Sequence, residues 1–248
     1  MFDKLINPIV HALRFRNILK MAEEGDVTLQ NKLGVMYYDG AYVKQDYTKA
    51  LNWYTQAAEQ GYAPAQTNLA EMFENGRGVG RDYAQAAHWY HKAALQNDPI
   101  AQCAYAWMLE KGIGVESDLE QALYWYHHAA GQENADAQYN LGTLYYGGIG
   151  VAKDYKEALK WYQKASEHNY PPAQTALGNM YVAGEGVIQN DPKGIELFHQ
   201  AALQNYADAQ VRLGEMYEGR KEVKKALHWF FKAAQQNHPI GQIGRAHV

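Results

Sequence analysis

The sequence predicts an all-α solenoid, a stack of short helix pairs without strands. Three observations predict it. Gln30, Gln66, Gln102, Gln138, Gln174 and Gln210 recur at a constant step of 36 residues, and Gln242 follows after 32. A fixed period of about 20–50 residues marks stacked units that bury their apolar faces on one another. Each period also holds two stretches with apolar residues at helical spacing, separated by a glycine loop.

Residues 1–25 come first. Leu13 to Gly25 reads as a degraded second helix of a pair, so this segment is expected to cap the open face of the first repeat. Six repeats follow, at 26–61, 62–97, 98–133, 134–169, 170–205 and 206–237. The second shows the logic. Ala65, Leu69, Met72 and Phe73 fall on one face of a first helix, A, over 63–75. Asn75-Gly76-Arg77-Gly78-Val79 then ends that helix, because glycine supplies positive φ and turns the chain back. Asp82 is the expected N-cap of helix B, with Gln85 three residues on as its capping-box partner. Helix B, about 83–96, carries Ala86, Ala87, Trp89, Tyr90, Ala93 and Ala94 on one stripe.

The same elements return in order. Lys111-Gly112-Ile113-Gly114-Val115, Gly147-Gly148-Ile149-Gly150-Val151 and Ala183-Gly184-Glu185-Gly186-Val187 repeat the loop, and Asp46, Asp118, Asp154 and Asn190 repeat the cap. Four glycine loops in a row have no use as phosphate cradles, and carboxylates in one capping register read as structural. The end copies depart from the pattern. Asp39-Gly40-Ala41-Tyr42-Val43 keeps one glycine, and Tyr217 to Val223 is four residues short. A seventh repeat starts at 238 and breaks off. The final six residues, 243–248, translate a common sequencing-adapter string and are expected to be an artefactual tail on a longer natural protein.

These residues resemble the Sel1-like repeat family, relatives of the tetratricopeptide repeat. The resemblance stands on Ala137 to Gly142, Tyr145 to Val151, Asp154 to Ala158 and Trp161-Tyr162-Gln163-Lys164-Ala165-Ser166, and covers most of the chain. It implies a right-handed superhelix of antiparallel helix pairs and a role as adaptor or scaffold. It also brings alternatives: an immunity protein that neutralises a secreted bacterial toxin, or a β-lactam-binding or hydrolysing protein. The branch linked to β-lactams carries paired cysteines, and this chain has one cysteine, Cys103.

Composition narrows the partner. A net charge of −4 and a pI near 6.2 disfavour nucleic acid, which needs concentrated Lys and Arg. No run is long and apolar enough for a membrane span, and no signal peptide is evident, so a cytoplasmic monomer is expected. One cysteine excludes an intrachain disulfide or a cysteine-built zinc site. His91, His127 and His199 share a register on helix B, but equal registers of adjacent repeats lie too far apart to build a metal site unaided. Neither a nucleophile motif nor a cofactor motif occurs. The expected chain is non-enzymatic, without cofactor or metal, and its partner is a protein or peptide.

Positions where the repeats disagree are the candidate site. Opposite the core stripe, helix A presents three registers: Asn31, Thr67, Cys103, Tyr139, Thr175 and Val211; then Val35, Glu71, Trp107, Thr143, Asn179 and Glu215; then Tyr38, Glu74, Glu110, Tyr146, Val182 and Glu218. By analogy with tetratricopeptide arrays this face lines a groove. Trp107, Tyr139 and Tyr146 are the expected anchors, flanked by Glu71, Glu74 and Glu110, with Tyr38 and Asn179 on the same face. Trp and Tyr are favoured anchors, and the acidic flank would suit a basic partner segment.

Overall fold

The computed structural model describes residues 15–239. The expected seventh-repeat sequence from 240 onward, the tail at 243–248 and the start of the capping segment lie outside these residues. Every regular element among the described residues is helical. Helix α1 (15–23) is followed by pairs of A and B helices. These are α2 (Val27–Asp39) and α3 (Tyr47–Glu59), α4 (Ala63–Asn75) and α5 (Tyr83–Ala94), and α6 (Pro99–Lys111) and α7 (Leu119–Gly131). The series continues with α8 (Ala135–Gly147) and α9 (Tyr155–Glu167), α10 (Pro171–Ala183) and α11 (Asp191–Leu203), and α12 (Ala207–Gly219) and α13 (Val223–Gln235). None of these helices is long and apolar enough to cross a membrane. The chain divides into two compact units, Met1–His128 and Ala129–Val248.

Within each unit the helices pack on their sequence neighbours, α2 on α3 and α4 on α5 in the first, α8 on α9, α10 on α11 and α12 on α13 in the second. This is the all-α paired-helix architecture of an α-solenoid. The core is built from small alanines interlocked with large rings, as in the cluster of Ala50, Tyr54, Ala57, Ala58, Ala65, Leu69 and Met72. Small residues beside large ones let helices approach closely. Gly142 shows how closely: a Cβ there would lie 2.5 Å from the Tyr162 ring. At the start of the chain Phe15, Ile18 and Leu19 pack on the Ala22, Leu33 and Met36 cluster.

The helix ends follow the local sequence. Asp46, Asp82, Asp118, Asp154 and Asn190 each accept a backbone N–H from the first turn of the following B helix. Gly76, Gly112, Gly148 and Gly184 end the A helices in the left-handed region. The second loop glycine has a different reason. A Cβ on Gly114 would stand 2.1 Å from the Tyr83 carbonyl oxygen, at the start of the preceding B helix. Gly78 and Gly186 make the same approach to Tyr47 and Tyr155.

Candidate partner-binding surface

In the first unit the variable face of the A helices carries Tyr38, Glu71, Glu74, Trp107 and Glu110. Two of the carboxylates are already engaged. Tyr90 Oη donates to Glu74 at 2.7 Å and Tyr126 Oη donates to Glu110 at 2.9 Å. Both rings are buried, and burial, reinforced by the facing carboxylate, pushes both hydroxyls above the ordinary tyrosine range. They therefore stay protonated as donors. Glu110 also pairs with Lys111. Tyr38 accepts from the Arg77 guanidinium and sets its ring against Tyr47, 5.2 Å between centroids. Glu71 is half-buried; desolvation first, then the Glu74 and Asp98 carboxylates, raise its pKa. Trp107 is half-buried.

In the second unit Tyr139 and Asn179 come together. They line a concavity of about 230 Å³ with Pro172, Thr175, Ala176, Tyr206, Asp208, Val211, Arg212, Glu215 and His238. Thr175 and Val211 are buried and form its floor. Tyr139 is braced by Tyr162 and Tyr170, with centroids 5.6 and 5.7 Å away. On the polar rim Arg212 donates to Glu215 at 3.0 Å, and His238 Nε2 donates to Asp208 at 2.8 Å. The Tyr206 hydroxyl is raised, chiefly by burial and then by its hydrogen bond to Asp208. Tyr146 is not part of this concavity. Its hydroxyl donates to Glu185 at 2.8 Å, and that bond leads in pushing its pKa up to about 12.

The first variable register is largely packing: Thr67, Cys103, Thr175 and Val211 are all buried. Sequence reasoning missed Tyr206, Asp208, Arg212 and His238 as site residues. A signal existed for two of them. Asp26, Tyr62, Asp98, Asn134, Tyr170 and Tyr206 occupy the N-cap position of successive A helices, His238 continues their place in the repeat, and the residue type varies freely.

Of the three helix B histidines that share a register, His91 and His199 pack and His127 is exposed. His91 stacks on Tyr105 at 4.7 Å, and His199 Nε2 shares a 3.0 Å hydrogen bond with Tyr217 Oη. Desolvation leads in lowering the pKa of both rings, which favours the neutral form. Among the described residues no group of three or more His, Cys, Asp or Glu side chains is placed to hold a metal ion.

The Sel1 repeat pattern matches residues 29–62, 63–98, 99–134, 135–170, 171–206 and 207–238. A Sel1 repeat protein from Oxalobacter formigenes is 33% identical with a TM-score of 0.80, over 86% of this chain and 89% of that one. A protective antigen of uropathogenic Escherichia coli with an SLR fold is 34% identical with a TM-score of 0.62, over 94% of this chain and 58% of the antigen. An immunity protein from Pseudomonas aeruginosa, 20% identical over 87% of this chain and 83% of its own, shares the fold with a TM-score of 0.56. A search of curated proteins found no match. With six consecutive repeats matched across most of its length, the chain belongs to the Sel1 repeat family.

Proposed function

We propose that the chain is a non-enzymatic interaction scaffold that holds a protein or peptide on the variable face of its A helices. The observation that carries this reading is the second-unit concavity. Its walls come from positions where the repeats differ, while the repeated positions are consumed in packing and capping. Sel1 repeats as a class mediate protein–protein contacts, and function is carried by the individual site rather than by the shared framework. In the first unit the carboxylate-rich face adds a long-range attraction for a basic segment, which acts mainly on association rate and declines with salt. The alternative of toxin neutralisation rests on likeness of fold to an immunity protein alone, and no residue of this chain favours it.

Site-specific photo-crosslinking tests the proposal. A crosslinker placed at Asn179 or Glu71 is expected to capture one recurrent partner. The same group at Leu203, exposed on the last turn of α11, is expected to capture none. Capture from Leu203 but not from Asn179 and Glu71 would place binding on the opposite face and end this reading.

A further inference from the structure

We infer that the second-unit concavity receives one aromatic side chain of an extended partner segment, next to a Lys or Arg of that segment. This inference rests on the scaffold reading above. Size comes first. About 230 Å³ lies below the roughly 300–1,000 Å³ typical of small-molecule sites, so the space suits one large side chain better than a metabolite. The walls decide its type. Tyr139, Tyr206 and Pro172 supply flat apolar surfaces around a floor of Thr175, Ala176 and Val211. Aromatic rings gain edge-to-face contacts beyond their buried area, and Trp and Tyr dominate anchor positions.

The rim decides the flanking residues. Asn179 lines the concavity, and its amide makes no hydrogen bond to another described residue. A primary amide offers a donor and an acceptor, the match for one peptide unit of an extended backbone. The charges near the rim are Asp208, Glu215 and Arg212, with Asp136 one step away, held by Tyr170 beside Tyr139. Three carboxylates stand near one guanidinium, which already donates to Glu215, and one ring, His238, which already donates to Asp208. The excess is acidic, so an adjoining Lys or Arg is favoured over Asp or Glu.

Panning a phage-displayed random dodecapeptide library on the full chain tests this. Enriched peptides are expected to share Trp, Tyr or Phe next to Lys or Arg. Ala176→Phe fills the concavity and is expected to weaken them at least about 10-fold. Asn179→Ala, a truncation at a half-buried position, is expected to keep the fold and to weaken them about 5–10-fold. The second variant keeps the test valid if the first fails to fold. Enriched peptides that lack an aromatic, or carry acidic flanks, yet are lost in both variants would overturn the occupant's chemistry and leave the scaffold reading standing. Peptides that bind both variants as well as the parent would overturn the concavity as the site. No enrichment at all would remove the inference and the scaffold reading of this face together.

Discussion

Gln96 Nε2 donates to Gln66 Oε1 at 2.7 Å, joining the end of one B helix to the A helix that precedes it by 30 positions. Gln66 Nε2 in turn donates to the carbonyl of Ala58, 3.1 Å away, in the last turn of α3. The Ala58 carbonyl also accepts from the Gly61 backbone N–H, so the glutamine is a second donor to it, and the buried amide is itself satisfied. Gln30 and Gln210 repeat both bonds, with Gln60 and Gln236 as donors. Gln138 breaks the series. Its Nε2 reaches Ala130, but its buried Oε1 has no partner among the described residues, because the donor's position holds His168.

His168→Gln is therefore expected to complete the bond. A net hydrogen bond is worth about 0.5–1.5 kcal/mol, which corresponds to a rise in Tm of roughly 1–6 °C for a chain of this size. His168→Ala is the control and should give no such gain. Equal melting of the Gln and Ala variants would show that the orphaned oxygen carries no cost.

The glutamine period made the fold legible, yet not its own chemistry. Helix placement follows from local features: an apolar stripe, an Asp cap and a glycine stop all lie within one repeat. The amide bonds span 8 and 30 residues, and no helical wheel shows them. The same limit applies to the site. Glu74 looks free on its own helix, but its partner Tyr90 lies 16 residues on, and Tyr146 is taken by Glu185, 39 residues on. Tyr139 and Asn179 could be picked as variable positions. Their union with Tyr206 and Arg212 depends on how successive A helices pack.

The two loop glycines predict unequal tolerance. Gly114 combines a φ of +72° with backbone 2.1 Å from any added Cβ. Gly114→Ala is expected to cost about 3 kcal/mol or more, from strain plus overpacking. Tyr42 occupies the same register with φ +68° and is 75% exposed. Being so exposed, Tyr42→Gly should stay within about 1 kcal/mol of the parent, relieved strain offsetting a freer unfolded chain. Denaturant midpoints measure both. Equal costs would show that the close approach to Tyr83 is not what fixes the glycine.

Glu71 predicts a pH dependence. Its carboxyl is raised in the folded chain by burial and by Glu74 and Asp98. The folded state thus binds that proton more tightly than the unfolded state. The resulting penalty is absent below the ordinary carboxylate range, grows as pH rises through it, and is fully present above the folded pKa. Glu71→Gln should raise the melting temperature at pH 7, and the gain should vanish in acid. A gain that persists at low pH would point to packing rather than charge.

Trp107 is where stability and binding can be separated. It lies off the core stripe of α6 and is half-buried, so packing holds part of the indole and leaves part for a partner. Truncation should remove about 1–2 kcal/mol of stability, less than the roughly 3–5 kcal/mol of a fully buried Trp. As an anchor, its loss should weaken the partner captured from Glu71 by about 2 kcal/mol or more, measured where both proteins are folded. Trp107→Phe should recover most of the stability and only part of the affinity, because the indole's extra area and N–H are what a partner would use. A stability loss in the range of a buried Trp, with affinity unchanged on the folded fraction, would make Trp107 a packing wedge and withdraw it from the partner surface.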